Sequence, residues 1–90
     1  SLVINKLYPN PTNTSFTLKF SSIINETIII TITDILGRVV KQSTLTSIQN
    51  KSSFTWDGLD QKGQPSPTGL YLVSISNGKT VQSRKVTLLK

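Results

Sequence analysis

Apolar and polar residues alternate in short runs along the chain, and this period of two predicts β-strands. The clearest run is Thr14–Ser21, in which Phe16, Leu18 and Phe20 share one face and polar residues occupy the other. Runs of this length with one apolar face are typical of antiparallel sheets that bury a single face. The seven predicted strands are Leu2–Leu7, Thr14–Ser21, Glu26–Thr33, Arg38–Leu45, Lys51–Asp57, Leu70–Ser76 and Lys79–Leu89.

The predicted strands differ in how much of their surface should be buried. The third contains the run Ile28–Ile30 and is expected to be the most buried strand, whereas the fourth is more polar and is expected nearer a sheet edge. Phe54 and Trp56 share a face of the fifth strand. The residues predicted to point inward from the last strand are Val81, Val86 and Leu88.

The connections carry residues that favour turns. Asp34–Gly37 predicts a bulged hairpin, since Asp begins turns well and Gly37 can adopt the left-handed conformation. Asn77–Gly78 predicts a two-residue hairpin between the last two strands. The link Gly58–Thr68 contains two Gly and two Pro and is expected to cross over rather than pair. We therefore predict an all-β fold, a seven-stranded antiparallel immunoglobulin-like β-sandwich.

The composition provides few side chains suited to catalysis. The 90 residues suffice for a single domain, 1–90, without Cys for disulfides and without His for general-base or metal chemistry. Only four carboxylates are present, and Asp34 and Asp57 are assigned to turns. Asp57 and Asp60 are too few for a calcium loop. We predict that the domain is not an enzyme and needs no cofactor or metal.

The net charge of +6 permits an anionic partner such as nucleic acid or lipopolysaccharide. The basic residues are scattered, however, and only Arg84 and Lys85 are adjacent, which favours a role in solubility and edge protection. No stripe of interleaved aromatic and basic residues predicts a nucleic-acid site. No apolar run is long enough to span a membrane, and any export signal is expected upstream of Ser1.

Three stretches are more specific than the strand pattern. The first reads Leu-Tyr-Pro-Asn-Pro over Leu7–Pro11, and the second reads Asp-Ile-Leu-Gly-Arg-Val-Val over Asp34–Val40. The third begins with Phe-Thr-Trp-Asp-Gly at Phe54 and continues through Gly63 and Pro67–Ile75 to Lys85–Lys90. In this order they closely resemble the type A C-terminal sorting domain of the type IX (Por) secretion system, over nearly the whole chain. The passage from Trp56 to Tyr71 also resembles the immunoglobulin-like domain of flagellar hook-capping proteins.

The resemblance implies a delivery signal at the end of an exported cargo protein. Residues 1–11 would form the lead-in strand and the boundary to that upstream cargo. The cargo would transit the periplasm, be recognised by the type IX secretion machinery and reach the cell surface or medium as a secreted protein. A sortase-like surface protease would remove the domain, and the cargo would be released or joined to anionic lipopolysaccharide.

The stretch before the sixth strand and the final strand are the expected recognition face. In the family the last strand concentrates sorting information, and its main chain could bond to a receptor edge. A structural role is the alternative throughout: Pro67 stiffens the crossover, Gly69 permits a close approach, Tyr71 buries its ring, and lysines protect an edge strand. The predicted recognition residues are Pro67, Gly69, Tyr71, Gly78, Arg84, Lys85 and Lys90.

A second function remains open from the sequence, namely a permanent surface adhesion or carbohydrate-binding β-sandwich module. Such modules usually display several exposed aromatic side chains. Most of the aromatic residues of this chain fall at predicted core positions, which argues against that function.

Overall fold

The computed structural model describes residues 2–90, which contain seven β-strands and no helix. All seven predicted strands are confirmed, and no end differs from its predicted position by more than two residues. The strands are β1 Val3–Tyr8, β2 Phe16–Ser21, β3 Thr27–Thr33, β4 Val39–Thr46, β5 Lys51–Trp56, β6 Gly69–Ser76 and β7 Val81–Leu88.

The strands form two sheets, in the orders β1-β2-β5 and β4-β3-β6-β7, and every neighbouring pair is antiparallel. The predicted two-sheet sandwich is therefore confirmed. So is the edge position of β4, and so is the crossover after β5, because β5 and β6 belong to different sheets.

Alternate residues of the facing strands fill a single core between the sheets. Phe16, Leu18 and Phe20 are buried on β2, as predicted, and β3 and β6 also bury three side chains each. The buried apolar residues are Leu2, Ile4, Phe16, Leu18, Phe20, Ile28, Ile30, Ile32, Trp56, Tyr71, Val73, Ile75, Val86 and Leu88.

Two sequence predictions about burial are wrong. The third strand is not buried more than β2, because Ile29 points out of the sandwich. Val81 is 65% exposed rather than inward. It lies an odd number of residues from Val86 and therefore faces the opposite side of the pleated strand.

The hairpin between β3 and β4 has the predicted bulged form. Gly37 has a φ of 83° and donates its N–H to the Asp34 carbonyl, and the register shifts by one residue beyond Ile32. The hairpin between β6 and β7 differs from the prediction. The N–H of Asn77 bonds to the carbonyl of Thr80, so the two central turn residues are Gly78 and Lys79 rather than Asn77 and Gly78.

The segment between β1 and β2 closes one side of the sandwich. Thr12 forms a parallel bridge with Leu88, and the N–H of Ile4 on β1 donates to Gln82 Oε1 on β7. Asn10, in the predicted lead-in segment, lies against β7. The edges of the two sheets are thereby joined at β1 and β7.

Candidate functional site

The predicted recognition residues do not form one patch. Pro67, Gly69 and Lys90 lie at one end of the sandwich, where Gly69 pairs with Leu88 and the N–H of Lys90 bonds to Thr68 Oγ1. Gly78 lies beyond the far end of β6, roughly 25 Å away at about 3.3 Å per residue. Arg84 and Lys85 are exposed near the middle of β7, and Tyr71 is in the core.

Tyr71 has a clear structural role at the first of these ends. Its hydroxyl donates to the Pro67 carbonyl at 2.5 Å, and its ring centroid lies 5.5 Å from that of Trp56. Burial raises the pKa of Tyr71, and the charge of Asp34 adds to the shift. A hydroxyl that bonds back to the backbone a few residues upstream is the tyrosine corner of immunoglobulin-like folds. Tyr71 thus fixes the path of the Pro67–Gly69 backbone.

The close approach predicted for Gly69 is wrong. Gly69 has no positive φ, and a Cβ placed there would lie 4.0 Å from the nearest atom, in the Tyr71 ring. The position that cannot accommodate a side chain is Gly58. It has a φ of 82°, and a Cβ there would lie 2.5 Å from the Thr14 carbonyl oxygen.

Asp34 organises the hairpin beside the tyrosine corner. Its Oδ1 accepts the N–H groups of Leu36 and Arg38, and its Oδ2 accepts Arg38 Nε at 2.8 Å. Desolvation raises the pKa of Asp34, but the backbone N–H and guanidinium of Arg38 outweigh it, so the net pKa is lowered. The ionised carboxylate therefore holds the hairpin in shape.

The lowered pKa of Asp34 predicts an acid-sensitive contribution to stability. The contribution is complete above the unfolded-state pKa of about 3.9 and is lost as the pH falls through the lowered folded-state value. In urea titrations followed by Trp56 fluorescence, the free energy of unfolding should fall more steeply below about pH 4 for the wild type than for Asp34→Asn. Arg38→Gln, which keeps the backbone contacts, should give an intermediate slope. Identical slopes in all three would contradict the assignment.

Parts of the second and third motif stretches of the sequence meet around one groove of about 610 Å³ at this end. The Asp34–Arg38 hairpin, the crossover around Asp60 and the stretch Pro67–Tyr71 all line it. Asp60 shapes the crossover wall, since its Oδ1 accepts the N–H groups of Lys62 and Gln64, and this confirms the predicted turn role.

The hairpin tip beside the groove exposes two large aliphatic side chains. Ile35 is 75% exposed and Leu36 is 73% exposed. Sequence reasoning missed both as functional candidates because they fall between strands in a turn. The available signal was their type, since turn tips usually carry small or polar residues. Adjacent exposed aliphatic residues beside a groove are typical of an interaction surface.

The outer edge of β7 is already occupied over the half nearest this groove. Asn10 Nδ2 donates to the Lys85 carbonyl, and Asn10 Oδ1 accepts the Thr87 N–H. Thr12 accepts the Leu89 N–H and donates to the Thr87 carbonyl. A receptor strand could pair with Thr87–Leu89 only by displacing Asn10–Thr12.

Two antiparallel sheets joined by a crossover and a tyrosine corner define the class as an immunoglobulin-like β-sandwich. The sequence profile of the secretion system C-terminal sorting domain, Por_Secre_tail, matches residues 6–89. The chain belongs to this family and is a type IX C-terminal sorting signal, which directs export toward the cell surface. Residues 2–90 include no helix that could cross a membrane.

Solved structures support the fold. Dimeric latent PorU of Porphyromonas gingivalis is 18% identical with a TM-score of 0.79, covering 98% of this chain and 9% of PorU. PorZ of the same bacterium, an essential surface component of its type IX secretion system, is 19% identical with a TM-score of 0.69. The match covers 97% of this chain and 11% of PorZ. FlgD of Xanthomonas campestris, a hook-capping protein, is 25% identical with a TM-score of 0.67. The match covers 96% of this chain and 64% of FlgD.

This chain therefore spans about a tenth of the length of PorU and PorZ and just under two thirds of FlgD. The resemblance of the passage from Trp56 to Tyr71 to flagellar hook-capping proteins concerns the fold alone. No curated protein sequence matches the chain.

Proposed function

We propose that the type IX machinery recognises this domain through the groove end of the sandwich, which we call the Asp34 end and define by Asp34–Arg38, Asp60–Pro65 and Pro67–Tyr71. One observation supports this site above others: stretches far apart in the sequence, which carry the family pattern, line the same groove. The exposed aliphatic tip at Ile35 and Leu36 supplies apolar area for a protein partner. The exposed side chains of Lys85 and Lys90 supply positive charge nearby.

We further propose an export route for the whole protein. The domain follows an upstream cargo in the same chain, and both transit the periplasm before crossing the outer membrane. A sortase-like protease then removes the domain at the surface, and the cargo is released or joined to lipopolysaccharide. The domain itself performs no catalysis.

Deleting Val86–Lys90 cannot test the recognition site, because Val86 and Leu88 are fully buried and their loss would unfold the sandwich. The exposed tip permits a cleaner experiment. In a cargo fused to this domain, the double variant Ile35→Ser with Leu36→Ser should lose most surface delivery and accumulate inside the cell. Its thermal unfolding should match that of the wild type, because neither side chain is in the core.

The matched control is Ile23→Ser with Ile24→Ser. These two residues are also adjacent, aliphatic and exposed, but lie in the β2–β3 connection at the other end of the sandwich. This control should be delivered normally. Equal delivery of both double variants would exclude the Asp34 end as the recognition surface, while equal loss would show a general requirement for surface apolarity.

A further inference from the structure

A second groove, away from the Asp34 end, has a distinct chemical lining. Its volume is about 810 Å³, and it lies along β1, β2, the end of β4, the connection between β4 and β5, and β5 itself. The charged residues in its lining are Lys6, Lys19 and Lys51. The four acidic residues, all within residues 2–90, lie outside this lining.

Two of these lysines are held against each other. Lys6 and Lys19 are direct partners in the antiparallel β1–β2 ladder, beside the register shift at Asn5. Their ammonium groups lie 4.8 Å and 5.8 Å from the centroid of the same Tyr8 ring. Like charges directly opposite each other destabilise a sheet, and the aromatic ring offsets that cost. The pair places two positive charges on one face of the sheet.

The carboxylates that could neutralise the groove are bound elsewhere. Those of Asp34, Asp57 and Asp60 accept backbone N–H groups in their own turns. Glu26 accepts a hydrogen bond from Asn77 Nδ2, which belongs to the β6–β7 connection. The groove is therefore lined by three lysines with no internal counter-charge, and the ammonium groups of Lys6 and Lys19 lie over the neighbouring Tyr8 ring. The local potential favours an anion.

We infer that this groove, which we call the lysine groove, binds an acidic oligosaccharide bearing carboxylate or phosphate groups. Its volume suits a short oligomer rather than a single ion. Asn5, Gln49 and Ser52 contribute amide and hydroxyl groups that can bond to sugar hydroxyls. This inference goes beyond sorting, because it requires neither the Asp34 end nor the secretion machinery.

Two other classes of ligand fit the groove less well. Nucleic acid needs aromatic faces on which bases stack, and the Tyr8 ring is already faced by two lysines. Neutral sugars also need exposed aromatic faces, yet the Trp, both Tyr and all three Phe of the chain are buried or half-buried. Recognition in this groove must therefore depend on charge.

The test titrates the domain with an oligogalacturonate of about six units, long enough to span the groove, by calorimetry in near-physiological salt. The variant Lys6→Gln with Lys19→Gln and Lys51→Gln should bind about tenfold more weakly, as expected for three partly exposed charge contacts. The control Lys62→Gln with Lys79→Gln and Lys85→Gln removes equal charge outside the groove and should bind within about twofold of wild type. Amide chemical shifts of the wild type should change around Asn5, Lys19 and Lys51.

Four results would overturn the inference. These are equal weakening by both triple variants, shift changes centred outside the groove, equal affinity for a neutral hexasaccharide, and equal affinity for single-stranded DNA or anionic vesicles. Loss of folding in the groove variant is not expected, because Lys6, Lys19 and Lys51 are all exposed and surface substitutions usually change stability little. The chemical-shift changes of the wild-type domain locate the binding site even if a variant does not fold. Surface delivery should be normal for the groove variant, which separates this site from the recognition surface.

Discussion

Gly58→Ala should destabilise the domain by about 3 kcal/mol or more, which is a large share of the stability typical of small domains. Two costs combine at this position. A left-handed backbone costs about 1–2 kcal/mol for an L-residue, and the new Cβ would lie 2.5 Å from the backbone oxygen of Thr14. Because the obstacle is backbone rather than a flexible side chain, it can move only if the β1–β2 segment moves with it.

Gly63→Ala is the matched control, since Gly63 has a φ of 81° in the same crossover but no atom within 4 Å of the added Cβ. It should cost only the conformational term of about 1–2 kcal/mol. Urea unfolding followed by the fluorescence of Trp56 would give both values. Equal losses in the two variants would mean that the contact with Thr14 is relieved at little cost.

Trp56→Ala should cost about 3–5 kcal/mol, as is usual when a large aromatic residue is removed from a core. The Trp56 ring lies 5.5 Å from both the Phe16 and the Tyr71 ring centroids, so it joins β2 of one sheet to β6 of the other. Its Nε1 donates to the Leu59 carbonyl at 2.9 Å, so the variant also leaves that acceptor unpaired. Far-UV circular dichroism in urea would measure the loss, since the variant lacks the fluorescent probe.

Phe54→Ala is the natural comparison because Phe54 shares the strand and the face of Trp56 but is only half-buried. Its loss should be less than half that of Trp56→Ala. A comparable loss would indicate that the packing around Phe54 carries as much of the stability as the aromatic cluster does.

The strand pattern was predictable because it is local. Alternation of apolar residues on β2 and β3 fixes which face is buried, and the Asp34–Gly37 hairpin follows from side-chain and glycine chemistry within four residues. The ordered motifs then identified the family correctly, although each motif alone would not have done so.

The failures concern features that depend on distant parts of the chain. Gly58 rather than Gly69 needs to be glycine because Thr14, more than forty residues earlier, passes against it. The coverage of β7 by Asn10 joins positions that are 75 and 77 residues apart. The lysine groove exists because the register of β1 and β2 sets Lys6 against Lys19, and no local pattern reports that pairing.

The bonds between Asn10–Thr12 and the last strand have a consequence during protein synthesis. The sandwich can close only after Leu88 has left the ribosome, because its first and last segments complete each other. A translation product that stops short of this point would have an open side and no finished sorting signal. Export would then exclude chains truncated before Leu88.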